Sequence, residues 1–256
     1  MLGKVFIFIK HCLIMVLILT SSAVSANSPS LQLYYEQFPP YNFKQDGAMQ
    51  GINAEIVQVI CMKAEIQCQF TLLPWTRAFA LAQSEKNAGV FSTGMSSERR
   101  PKFLWVGPLV ADRTSIFKLK SRTDITYSEI GGLRQYSVAV VRNTVTKFIM
   151  MQQGVATEEN FVEFSFLEDY LPLFFEGKVD LIPGSLLALN YQFKRLGLPI
   201  EDVEPVFTLN EDGLGNYLAL NKNTSPEIAD KLNEALVELK EQGWVGQKIA
   251  QYKQSP

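Results

Sequence analysis

The sequence predicts an α/β fold with helices on both faces of its sheets. Strand-period and helix-period hydrophobic segments alternate along the chain, and no internal repeat or low-complexity tract interrupts them. The length beyond an N-terminal leader fits one large domain or two smaller ones.

Leu31 to Tyr35 reads as the first strand, and Glu36 to Gln50 as a loop rich in turn formers. Ile52, Ile56, Val59 and Ile60 recur at helical spacing, which predicts a helix reaching Ala64. Ile66, Cys68, Phe70 and Leu72 alternate, as in a half-buried strand. Val90 to Ser92, Ser115 to Lys120 and Ser137 to Val141 read as further strands. Asn143-Thr144 is placed to cap a helix beginning near Val145. Asp180 to Pro183 reads as a strand after a Gly-Lys turn, and Leu214 to Leu220 as another. Ser225-Pro226-Glu227 has the form of a helix start, with serine as cap and proline in the first turn. Ile228, Leu232, Ala235, Leu236 and Leu239 form that helix's apolar stripe, and Gly243 ends it.

Residues 1–26 read as a secretory signal peptide. Lys4 and Lys10 supply the positive start, Cys12 to Leu19 is unbroken apolar sequence, and Val24-Ser25-Ala26 offers small residues for cleavage after Ala26. The run is shorter than the roughly 20 apolar residues a spanning helix needs, which speaks against a membrane anchor. Without Lys4 and Lys10 the chain keeps 22 basic residues against 26 acidic ones. That mild negative charge argues against nucleic acid or anionic membrane as partner. The single histidine, His11, lies in the leader, so the mature chain has none. Ser-His-Asp triads, Cys-His pairs and most zinc sites are thereby excluded. Neither common phosphate-cradling Gly-rich motif is present, and no cofactor is expected. Cys61 and Cys68 flank the predicted helix-to-strand turn. In an exported chain that even pair favours a disulfide over two buried thiols.

Several short segments follow one another in a specific order. Glu36-Gln37-Phe38-Pro39-Pro40-Tyr41 comes after strand one, and Gly51 with Glu55 opens the first helix. Leu73-Pro74-Trp75-Thr76-Arg77-Ala78 comes next, then Gly94-Met95-Ser96-Ser97-Glu98-Arg99 and Phe103-Leu104-Trp105-Val106-Gly107-Pro108. Val140-Val141-Arg142-Asn143-Thr144 and Gly177-Lys178-Val179-Asp180 complete the series. Together these resemble the family 3 extracellular solute-binding proteins, periplasmic receptors for polar amino acids and related small molecules. The resemblance covers nearly the whole mature chain. It implies a two-lobed periplasmic binding protein fold of type II with two crossing strands at the hinge. By that analogy lobe one is residues 27–118 plus 213–256 and lobe two is residues 119–212, with the ligand between them.

The resemblance also implies site residues. Arg99 stands where the family's arginine holds a ligand carboxylate, a task suited to a planar fork of donors. Read alone it is one solvated charge of the Glu98, Arg99, Arg100, Lys102 cluster. Ser96 takes the place of the family's threonine and donates to the same carboxylate. Thr144 opens a helix whose exposed N–H groups favour an anion, or simply caps it. Phe38, Tyr41 and Trp75 are candidate walls, each with a core-packing alternative. Arg77 adds a second positive contact or ties down the Trp75 loop. Glu36 meets a ligand amine or is an exposed acid. Many family members hold the ligand α-amino group with an aspartate shortly after the Gly-x-Val-Asp turn. Here the matching position is Ser185, and Asp180 matches the structural acid of the turn.

The implied function is capture of a small polar, carboxylate-bearing ligand, an amino acid or a relative of one, for an ABC-type uptake system. The protein is expected in the periplasm as a monomer, with the ligand and an inner-membrane permease as partners and no catalysis. Two alternatives remain open. One is a periplasmic enzyme on the same fold, resembling the cyclohexadienyl dehydratases, which needs a positioned acid or base. The other is a sensor that presents its ligand to a signalling partner.

Overall fold

The computed structural model describes residues 29–127, 130–142, 144–209 and 215–254. The signal-peptide reading, the Asn143 part of the helix cap and the start of the strand expected at Leu214 lie outside them. The strands are β1 (Ser30–Tyr35), β2 (Phe43–Gln45), β3 (Ala48–Gln50), β4 (Gln67–Leu72), β5 (Ala88–Thr93), β6 (Phe103–Val110), β7 (Thr114–Leu119), β8 (Val138–Val141), β9 (Phe161–Phe164), β10 (Ile182–Ser185), β11 (Val203–Thr208) and β12 (Asn216–Asn221). The helices are α1 (Ile52–Lys63), α2 (Trp75–Ser84), α3 (Val145–Gln152), α4 (Leu167–Phe175), α5 (Leu186–Leu196), α6 (Pro226–Glu241) and α7 (Trp244–Gln254).

Two sheets organise the chain. The larger runs in the order β4-β1-β5-β12-β6. Its first three strands are mutually parallel, and β12 runs antiparallel between β5 and β6. The smaller sheet, β10-β7-β11, is antiparallel. A parallel pair, β8 and β9, joins it through a bridge between Val138 and Leu181.

The period of two along β1 divides the larger sheet's packing. Leu33 and Tyr35 join Ile56, Ile60, Leu232 and Leu236 of α1 and α6 on one face. Tyr34 joins Ala78 and Ala82 of α2 on the other. The smaller sheet is likewise covered on both faces, by the cluster around Ile116 and Met150 and by the one around Phe117 and Phe174. This is the layered α/β arrangement that the alternation predicts.

Strand β7 pairs along its length with β10 and β11, so it belongs to the smaller sheet. The first crossing between sheets therefore occupies residues 111–113, ahead of the boundary the sequence suggests after Lys118. Helix α5 belongs to both cores. Leu187, Ala188 and Tyr191 pack into the larger sheet's cluster, while Leu189 and Phe193 pack into the smaller sheet's.

Local readings hold in part. Cys61 and Cys68 form a disulfide between the end of α1 and β4. Ile228, Leu232, Ala235, Leu236 and Leu239 are the buried stripe of α6, and Gly243 follows its end at φ 73°. Ser225 precedes that helix but its side chain makes no capping bond, and Pro226 at the first position leaves one fewer N–H to satisfy. The strand expected from Asp180 begins at Ile182, because the Asp180 carboxylate is taken by Arg122, the Ser137 N–H and the Ser137 hydroxyl. Within the loop that follows β1, residues 43–50 form the β2-β3 hairpin.

Candidate ligand-binding site

Parallel strands place their carboxyl ends along one edge of a sheet, and loops there build sites. In the larger sheet β1 leads to Glu36, β4 to Trp75, and β5 to Gly94, Ser96 and Arg99. On the other side β8 leads to Thr144 and β10 ends at Ser185. The two edges meet: a Cβ on Gly94 would stand 3.1 Å from Val145 Cγ1 at the start of α3.

The loop carrying Glu36, Phe38 and Tyr41 is fixed from behind. Pro40 O accepts from the Ile52 N–H at 2.9 Å, and Tyr41 O accepts from Asn53 and Ala54 at 2.8 and 3.1 Å. These carbonyls satisfy orphan N–H groups of the first turn of α1 without a capping side chain. Gly51 is required for that approach: its φ is 116°, and a Cβ would lie 2.5 Å from Tyr41 O. Asn42, fully buried, donates to Glu36 O at 2.7 Å.

Arg99 is held on three sides. One guanidinium N–H donates to Thr93 Oγ1 at 3.0 Å. The guanidinium carbon lies 4.8 Å from the Phe79 ring centre and 5.3 Å from that of Trp75. The two rings pack on each other with centroids 5.4 Å apart. Trp75 and Phe79 thus form a platform that restricts the guanidinium, as cation–π contact favours. Burial pulls the Arg99 pKa down, opposed by the charges of Glu98 and Glu36. The buried Ser96 accepts from the Arg99 N–H at 3.2 Å through Oγ, which leaves its own hydroxyl proton free to donate outward.

Glu36 is half-buried. Burial pushes its carboxyl up to about 7, against the pull of the Arg99 charge. Among the described residues no hydrogen bond or ion pair reaches that carboxylate. The edge of the larger sheet therefore offers one cation with spare donors and one carboxyl group without a partner.

Tyr41 is tied down through its hydroxyl. Its hydroxyl donates to Asp112 Oδ2 at 2.5 Å and lies 2.7 Å from Ser185 Oγ. The Asn216 side chain also hydrogen-bonds to it. Phe38 is half-buried, with its ring 5.0 Å from that of Tyr41. Ser185 caps α5 by accepting from the Ala188 N–H at 3.1 Å. Thr144 precedes α3, but its hydroxyl donates to Val141 O at 2.9 Å and makes no capping bond. Arg77 is exposed, and the charge it presents acts on Tyr34, which bonds Glu85. Arg77 is not brought to Arg99. Among the described residues no three His, Cys, Asp or Glu side chains come together as a metal site requires.

Sequence reasoning did not find Thr93, Phe79, Asp112 or Asn216. Phe79 stands one helical turn after Trp75, so helical spacing from Pro74 onward was the available signal. Nothing local marks Asp112 or Asn216, because their partner is distant in sequence.

Residues 33–255 match the family described as bacterial extracellular solute-binding proteins, family 3. Over 205 residues the chain is 21% identical to the probable amino-acid-binding protein YxeM of Bacillus subtilis (strain 168), covering 80% of this chain and 76% of that protein. A histidine kinase sensor domain similar to periplasmic binding proteins superposes with a TM-score of 0.74 at 19% identity, covering 88% of this chain and 96% of that one. The substrate-binding protein of an amino acid ABC transporter superposes with a TM-score of 0.67 at 16% identity, covering 87% of this chain and 98% of that one. These likenesses to solved structures establish the two-lobed fold.

Proposed function

Because the chain belongs to the bacterial extracellular solute-binding proteins of family 3, we propose that it captures an α-amino acid between its two lobes and delivers it to an ABC-type permease. One lobe takes residues 29–110 and 216–254, the other residues 114–209, and the ligand lies where the strand ends meet. The observation that carries this reading is that Glu36 and Arg99 lie on one sheet edge, close enough to act on one another, yet form no ion pair among the described residues.

A zwitterion complements that pair. The spare donors of Arg99 take the carboxylate, held flat by Trp75 and Phe79. The Ser96 hydroxyl and the N–H groups at the start of α3 add donors from either side. Glu36 takes the ammonium, the role that Ser185 gives up by capping α5 and bonding Tyr41. Phe38 packs on the ligand's apolar part. Closure removes water and strengthens each of these contacts.

The name of the Bacillus relative supports an amino acid as ligand, and the ABC-transporter neighbour supports a permease partner. The family implies a location outside the cytoplasm, and we assign the protein to the periplasm, exported by its N-terminal 26 residues.

The test is a thermal-shift panel of amino acids beside their deaminated analogues, together with mass spectrometry of ligand released from native protein. A ligand that binds only the folded state raises its melting temperature. Amino acids should shift the protein, and their deaminated analogues should shift it less. If only the deaminated acids shift it, Glu36 is not an ammonium partner. Turnover of any bound compound would move the protein to the enzyme alternative.

A further inference from the structure

The Tyr41 hydroxyl joins four parts of the molecule that are far apart in sequence. Tyr41 belongs to the loop after β1. Asp112 lies in the first crossing segment, and Asn216 begins β12 just beyond the second. Ser185 ends β10 and caps α5 on the opposite side. The Tyr41 side chain is almost wholly buried, 2% exposed, while Asp112, Ser185 and Asn216 around it are partly buried.

The protons in the chain can be assigned. A carboxylate only accepts, so the single Tyr41 hydroxyl hydrogen goes to Asp112 Oδ2. Tyr41 O must then accept from Ser185, whose hydroxyl hydrogen is free because Ser185 Oγ itself accepts from the Ala188 N–H. The order is Ala188 N–H to Ser185, Ser185 to Tyr41, and Tyr41 to Asp112. Every bond polarises the next toward the carboxylate, and the charged end strengthens the series. The other Asp112 oxygen accepts from the Arg113 N–H at 2.9 Å, which orients the carboxylate within the crossing segment.

Packing holds this chain in register. The apolar face of α5 formed by Leu187, Ala188 and Tyr191 is buried in the larger sheet's core. Gln192, 2% exposed, donates to Pro39 O at 3.2 Å. The loop that carries Glu36 is therefore tied to α5 at Pro39 and at Tyr41. A rotation that carries Ser185 away from the loop after β1 strains or breaks the Tyr41 bond to Ser185.

We propose that Tyr41 and Asp112 are positioning residues that set the balance between open and closed lobes, and through it ligand affinity, without touching the ligand. The proposal rests on the binding reading above only for its affinity consequence. Replacing the Tyr41 hydroxyl removes the link between Ser185 and the crossing segment, so the closed arrangement loses a charge-assisted bond. A binding-competent state that is less populated lowers apparent affinity by the same factor.

The test uses Tyr41→Phe, Asp112→Ala and Asp112→Asn in the full exported protein, with spin labels at the exposed positions Val237 and Val162 on the two lobes. Interlobe distance distributions of ligand-free protein report closure whatever the ligand is. Tyr41→Phe and Asp112→Ala should broaden them toward longer separations. Asp112→Asn keeps an acceptor oxygen without the charge and should fall between Asp112→Ala and the wild type. For an amino acid that binds the wild type, the first two variants should lose about tenfold or more in affinity. A purely structural role would lower melting temperature and leave the distance distribution of the folded fraction unchanged, which overturns the proposal. So would wild-type distances and affinity in Tyr41→Phe. Should no amino acid bind the wild type, the reading of the ligand fails, while the distance distributions still decide the role of Tyr41.

Discussion

Glu36 and Arg99 act on one another electrostatically, yet among the described residues they form no ion pair. The consequence is a pH dependence of known sign. Glu36 is pushed up to about 7 from 4.5, mainly by burial. In ligand-free protein that shift stabilises the fold fully below 4.5, and the contribution is lost as pH rises through about 7. Ligand binding runs the other way, since an ammonium pairs with the ionised carboxylate. Amino-acid affinity should level off above pH 7 and fall below it, by up to about tenfold per pH unit. Titration calorimetry from mildly acidic to mildly alkaline pH measures this. Glu36→Gln should bind more weakly and with a flat profile; a wild-type profile in that variant would remove Glu36 from the site.

Arg99→Ala should abolish tight binding while the protein still folds. A hydrogen bond to a charged group is worth about 1.5–3 kcal/mol, roughly tenfold to hundredfold in Kd, and a bidentate pair adds to it. Arg99→Lys should rescue little, because a point charge cannot copy the fork or its stacking on Trp75 and Phe79. Arg100 is exposed, and Arg100→Ala should bind normally. Normal binding by Arg99→Ala would end the carboxylate assignment.

Gly94→Val should wedge the two lobes apart. Its Cβ would lie 3.1 Å from Val145 Cγ1, and the two added methyl groups have less room still. Affinity should fall by about tenfold or more, because the closed state is the one penalised. The ligand-free melting temperature should stay near wild type, since the open arrangement has no such clash. Unaltered affinity would mean that this contact is not part of the bound state.

Alkylation of native, unreduced protein should leave Cys61 and Cys68 unmodified, and reduction should expose both. The bridge closes a loop of sequence separation 7, for which chain entropy gives about 2.5 kcal/mol of stabilisation. Denaturant unfolding with and without reductant checks the size of the effect. Two freely alkylated thiols in the native protein would contradict the bridge.

The sequence by itself determined the layered fold, the disulfide pair and the loops that carry charge. Each of these is written in short-range chemistry. Hydrophobic period separates strand from helix, an oxidising compartment joins nearby cysteines, and the loop after β1 and the Ser96–Arg99 turn keep their residue types in local order. The tertiary structure alone decided how those residues are used. Trp75 reads as a ligand wall or a core residue, and only the fold shows that α2 brings its ring beside Phe79 and under the Arg99 guanidinium. Tyr41 and Ser185, both candidate ligand contacts in the sequence, bond each other across 144 positions of sequence. Asp112 carries no local signal at all. Its meaning comes from a tyrosine 71 residues away that folding delivers to its carboxylate. Periodicity and propensity act over one or two turns of chain, whereas a hydrogen-bond partner is chosen by the packing of whole layers.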